Sequence, residues 1–201
     1  MADNKSFWQM LLDAGLQALN NNKPKIQEAV TKAVVNEVQK PVASVVVQET
    51  APVKSDIDWT KGEVHVSEHF TVKDMIFLPS WNRLANEADG LDAATKANLI
   101  DLAKHMELAR AFFGKPIITH VTLRPVEYNK TIPGAALHSA HTEGKAMDFH
   151  VADIDCATAR KMINDANKLQ EWGMRMEDIT GNWVHLDTRP LKPGGNRFFK
   201  P

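Results

Sequence analysis

Apolar positions along the chain divide it into three zones. In the first, Phe7, Trp8, Leu11, Leu12, Leu16 and Leu19 recur at helical spacing and form a broad apolar face. The run Asn20-Asn21-Asn22-Lys23-Pro24 breaks that pattern. Ile26, Val30, Val34 and Val38 then recur at steps of four, backed by Ala29 and Ala33. Two helices are too few to bury both apolar faces by themselves. Residues 1–40 therefore read as a helical anchor or self-association segment, or as helices that pack on the main domain. In residues 41–58, prolines on both sides of Val45-Val46-Val47 favour a linker over a strand.

Residues 59–201 carry the main domain. Thr71 is placed to cap a helix with Asp74 in its first turn. From Asp92 to Phe113, Leu99, Leu102, Met106, Ala109 and Phe113 share one helical face, and Gly114 ends it. Pro116 to Leu123 is rich in β-formers, Tyr128 to His138 reads as loop with a turn at Pro133-Gly134, and Ala146 to Val151 reads as a short strand. A second helix is expected from Ala157 to Trp172, a final strand from Trp183 to Asp187, and loop from Pro190 to Pro201. Helices and short strands without strict alternation predict an α+β fold.

Composition removes several function classes. The chain has 201 residues, 43% of them hydrophobic, which is enough for one domain with a real core plus an appendage. Its formal net charge of -1 offers no basic field for nucleic acid. No stretch approaches the ~20 apolar residues needed to span a bilayer. The opening residues Met1 to Ser6 lack the basic start and apolar run of a signal peptide, so synthesis without one is expected. The single cysteine, Cys156, excludes an internal disulfide and a Cys-rich zinc site. Any metal must be held by His and carboxylate.

Those residue types converge in one stretch, Ser139-Ala140-His141-Thr142-Glu143-Gly144-Lys145-Ala146-Met147-Asp148, and in Trp183-Val184-His185-Leu186-Asp187. His141, Asp148 and His185 offer two imidazoles and one carboxylate, the ligand set of a catalytic zinc site that keeps a fourth position for water. His141 and Asp148 are seven residues apart, the wrong spacing for one helical face. The spacing suits a loop that enters a strand, with Gly144 freeing the turn. Asp187 shares the face of His185 by the two-residue period of a strand, and could accept the free ring N–H of a metal-bound histidine.

The segment Ser139 to Asp148 also matches the signature Ser-x-His-x-x-Gly-x-Ala-x-Asp at all five fixed positions. In this the chain resembles the zinc peptidases of the D-Ala-D-Ala carboxypeptidase and L-alanyl-D-glutamate endopeptidase family. Ile118 to Asn129 is similar to the family's strand that ends in an arginine, here Arg124, with an asparagine a few residues on. The resemblance spans roughly residues 66–199. It implies a small mixed sheet with flanking helices, of the hedgehog and D-Ala-D-Ala-peptidase type, and zinc held by His141, Asp148 and His185. It implies that Arg124 holds substrate, and that the substrates are peptidoglycan stem peptides. A guanidinium can grip a carboxylate or polarise a scissile carbonyl.

One position departs from the pattern. Many members carry a carboxylate base three residues before the last zinc histidine, where this chain has Asn182. Glu177 is the favoured substitute, with Asp178 beside it and Asp187 as runner-up. His138 and His150 lie close to ligands in sequence and could line the cleft. The departure leaves a competing expectation: a catalytically impaired, zinc-containing module that binds cell wall or sits in a virion. A cell-wall peptidase with an extra helical segment and no leader fits a bacteriophage lysis enzyme or a virion component, which would act at the wall after host lysis or as part of the particle.

Overall fold

The computed structural model describes residues 57–178 and 181–200. The expected helical segment 1–40 and linker residues 41–56 lie outside the described residues. Short elements open the described chain: helix α1 (Val72–Ile76), then strands β1 (Phe77–Leu78) and β2 (Arg83–Leu84), which pair antiparallel. Thr71 caps α1 as expected. Its hydroxyl and the Asp74 carboxylate satisfy each other's backbone N–H groups.

Helix α2 (Ala93–Phe113) starts at the Asp92 cap and stops at Gly114, whose φ of 60° is left-handed. Leu99, Leu102, Ala103, Met106, Ala109 and Phe113 are buried along one side. Strand β3 (Ile117–Val121) follows, then helix α3 (Val126–Lys130). Strand β4 (Ala146–Val151), helices α4 (Cys156–Asp165) and α5 (Lys168–Trp172), and strands β5 (Arg175–Glu177), β6 (Val184–Asp187) and β7 (Phe198–Phe199) complete the order.

The main sheet runs β3-β4-β6-β5-β7. All its pairs are antiparallel except β5 with β7, which makes it a small mixed sheet. Alternation divides its two faces. Met147, Phe149, Val151, Met176, Val184 and Leu186 join the α2 residues and Trp172 in one hydrophobic cluster. Asp148, His150, Glu177, His185 and Asp187 occupy the alternate positions. The α+β expectation therefore holds, and the polar face of the sheet is where the chemistry collects.

Three expectations need correction. Tyr128 to Lys130 belongs to α3 rather than to a loop, because Tyr128 is buried edge-on against Trp81 with ring centroids 5.1 Å apart. One turn of helix leaves no readable periodicity. The helix expected from Ala157 to Trp172 is two helices, broken where Asn167 turns left-handed at φ 50°, a conformation asparagine tolerates. The tail is not all loop. Met176 N–H donates to Arg197 O at 2.8 Å and Asp178 N–H to Phe199 O at 2.6 Å, which adds Phe198–Phe199 to the sheet edge.

Candidate metal centre

Three side chains meet on the polar face. Asp148 and His185 are directly opposed on β4 and β6. His141 comes from a turn of 3-10 helix, Ala140–Glu143, capped by the Ser139 hydroxyl and closed by Gly144 at φ 69°. The turn passes against α2. A β-carbon on Gly144 would lie 3.0 Å from Leu99 Cγ and 3.2 Å from Thr95 O, so only glycine permits this approach. Asn98 Nδ2 on α2 donates to Glu143 O at 2.9 Å and fixes the same turn. The expected loop-into-strand geometry is thus what joins His141 to Asp148.

The facing atoms form a small triangle. His141 Nε2 is 3.2 Å from Asp148 Oδ1 and 3.2 Å from His185 Nδ1, and His185 Nδ1 is 2.8 Å from Asp148 Oδ1. Ligand atoms about 2.0–2.1 Å from a tetrahedral zinc stand roughly 3.3 Å apart, so the three donors fit one ion with small adjustments. Together they form a buried group able to hold a metal. His141 is fully buried, and its Nδ1–H donates to Thr122 O at 2.7 Å. That bond leaves the Nε2 lone pair aimed into the triangle. Thr122 is itself anchored, its hydroxyl donating to Asp74 O at 2.7 Å.

Charge in this pocket is strongly coupled. Burial pushes the His141 ring down, and Asp148 only partly offsets it. Burial would also lower His185, but Asp148 and Asp187 outweigh it and raise the ring to about 9. Burial alone would raise Asp148, yet the two histidines hold it well below the usual carboxylate range. A buried cluster of this kind asks for a cation, and in its absence a proton on His185 takes that role.

Asp187 stands 3.6 Å from His185 Nε2, on the far side of the ring from the triangle. Its oxygens are otherwise taken. Arg175 grips both, at 2.8 and 2.9 Å, and Arg189 N–H donates to Oδ1 at 2.9 Å. Those bonds suit a support for His185 better than a proton carrier. Glu177 is the freer carboxylate. It lies on β5 next to β6, half-buried, in the field of His185, Asp148 and Arg124. Burial pushes its carboxyl up, with Asp148 and Asp187 adding to the effect. Asn182 is exposed.

Arg124 follows β3, with its N–H bonded to His141 O at 3.0 Å. Its Nη2 donates to the Ser139 hydroxyl at 3.2 Å, while its buried Nε has no hydrogen-bond partner. Burial lowers its pKa, opposed by Asp148 and Glu177. The guanidinium is thus held beside the triangle with a donor to spare. His138 is exposed and stays outside the group, contributing only its carbonyl to Arg189. Sequence reading missed Thr122, Arg175, Arg189 and Phe199. Arg175 and Phe199 sit on strands too short to show a pattern, and the Phe199 ring stands edge-on to His185 at 6.3 Å.

The comparison with known families decides the affiliation: the model of the family described as peptidase M15 matches residues 68–187. The chain belongs to that family. The match contains every one of the site residues above except Arg189 and Phe199. No curated protein and no solved structure matches the chain. Membership makes it a metallopeptidase of a zinc-dependent family, and the buried His-Asp-His triangle is the group in this chain that could bind the metal.

Proposed function

We propose that the chain hydrolyses peptide bonds in peptidoglycan stem peptides or cross-links, with zinc held by His141, Asp148 and His185. The observation that carries this reading is the triangle with Glu177 and Arg124 beside it. A zinc ion in such a site lowers the pKa of a coordinated water to about 7 and polarises a carbonyl. Glu177, its pKa raised by burial, takes the proton from the attacking water and passes it to the leaving amine. Arg124, its guanidinium held beside the triangle through Ser139, faces the scissile carbonyl or a free carboxylate of the substrate. Asp187 and Thr122 orient the two imidazoles.

Stem peptides carry free carboxylates, which suits a buried arginine as the positioning group. The place of action is the bacterial cell wall, reached after host lysis or as part of a phage particle, with residues 1–40 as the segment available for docking or self-association.

The test is mass spectrometry of muropeptides incubated with the zinc-loaded protein. Cleavage by the wild type, lost together with zinc in His141→Ala, supports the reading. Intact muropeptides with one zinc per chain favour instead the impaired binding module that Asn182 suggested. Full cleavage by His141→Ala overturns both.

A further inference from the structure

A second pair of imidazoles lies on the same face of the sheet, outside the triangle. His120 Nε2 and His150 Nδ1 are 2.7 Å apart, with ring centroids 4.9 Å apart and planes tilted by 51°. The pair depends on a break in strand register. Ile118 pairs with His150 and Thr119 with Phe149, but Val121 pairs with Asp148, so His120 is an extra residue in β3. A bulge of this kind re-aims one side chain. Here it accompanies the contact between the exposed His120 ring and the half-buried His150 ring.

His150 is two residues from Asp148 on β4 and shares its face. The Asp148 charge also acts on His120. Among the described residues, neither ring has another hydrogen-bond partner. A neutral pair can share one proton, but near solvent that bond adds little, because water serves each ring almost as well. Two nitrogens converging from adjacent strands can do something water cannot, which is to grip one cation from two sides. Small ring rotations open the gap to the roughly 3.3 Å that two ligands of one tetrahedral ion require.

We propose that His120 and His150 form a second, weaker site for a divalent transition metal beside the buried triangle. Imidazole selects zinc, copper or nickel over magnesium and calcium. Water completes the coordination. With two ligands near solvent, the site fills only after the buried three-ligand centre is loaded.

The experiment is equilibrium dialysis of the full chain, preloaded with one equivalent of zinc, against rising Ni²⁺, with zinc and nickel measured per chain. The wild type should retain its zinc and take up one nickel. His120→Gln and His150→Gln should lose nickel uptake over the same range, while His69→Gln, at a histidine paired with Glu107 on α2 outside both groups, should keep it. His141→Ala separates the two sites, because it should lose the preloaded zinc and still bind at the second site. A wild type that binds no nickel beyond its zinc overturns the proposal. So does nickel uptake that persists in His120→Gln, or that disappears in His69→Gln. Nitrogen NMR of the zinc-loaded wild type is independent of any variant's folding. Substoichiometric Ni²⁺ should broaden the His120 and His150 ring signals first, and broadening elsewhere first refutes the assignment.

Discussion

Gly144→Ala isolates the contact that sets the position of His141. Gly144 and Gly173 share a φ of 69°, so an alanine at either carries the same left-handed penalty, about 1–2 kcal/mol. Their surroundings differ. A β-carbon at Gly173 meets nothing within 4 Å, whereas at Gly144 it meets Leu99 Cγ at 3.0 Å, Leu99 Cδ2 at 3.1 Å and Thr95 O at 3.2 Å. Leu99 is fully buried and Thr95 O is helix backbone, so neither yields cheaply. Overpacking of this kind costs about 1–3 kcal/mol. Gly144→Ala should therefore lose about 2–5 kcal/mol and Gly173→Ala about 1–2, a gap of roughly 1–3 kcal/mol. At about 2–4 °C per kcal/mol for a chain of this size, the gap appears directly in thermal unfolding. The same displacement moves His141 off the triangle. Zinc affinity, measured by chelator competition, should fall in Gly144→Ala and hold in Gly173→Ala. Equal melting temperatures for the two variants would show that the turn does not press on α2, and the account of His141 placement would fail.

Further expectations concern the proton carrier, the protonation of the centre and the tie across it. Glu177→Gln should keep one zinc per chain while muropeptide cleavage falls about 10²–10⁴-fold; wild-type turnover in that variant returns the base role to another carboxylate. The His185 pKa of about 9 lies above its unfolded value. In the metal-free chain the stability that this ring contributes is therefore fully present below about pH 6.5, and is lost as pH rises through about 9. Zinc needs the neutral ring, so its affinity should climb about tenfold per pH unit across that window. Chelator competition at several pH values checks this, and a flat profile contradicts the proton on His185. Arg189 donates through Nη1 to His138 O at 2.8 Å and through Nη2 to Glu143, and so ties the His141 turn to the end of β6. Arg189→Ala should weaken zinc binding about 10–100-fold, with Arg189→Lys recovering only part because it lacks the planar fork. Unchanged zinc affinity in Arg189→Ala would remove the tie from the account.

The chemistry of the triangle could be read from residue types and short-range spacing. His141, Gly144 and Asp148 lie within one turn and the strand it enters, where covalent connectivity limits how far apart they can be. His185 needed only the two-residue period of a strand to be paired with Asp187. The cap at Thr71 and the stop at Gly114 were equally local, since each rests on backbone groups a few residues away. By contrast, α3, the break at Asn167 and the edge strand β7 are elements of five residues or fewer, or interruptions of one residue. Their stability comes from Tyr128 against Trp81 and from hydrogen bonds to β5, partners that no window along the chain contains.

The surroundings of the two candidate carboxylates likewise depend on tertiary structure. Glu177 stands eight residues before His185 and Asp187 two after it, and neither spacing shows which carboxylate is already paired. Folding places Arg175 and the Arg189 N–H on Asp187, and leaves Glu177 half-buried with no cation in hydrogen-bond contact among the described residues. The bulge that brings His120 to His150 is likewise a matter of register between two strands. By itself, the sequence determined which groups can bind a metal, because donor chemistry belongs to the residue. Only the tertiary structure decided which groups are engaged and which are spare, because desolvation and pairing belong to the neighbours that folding supplies.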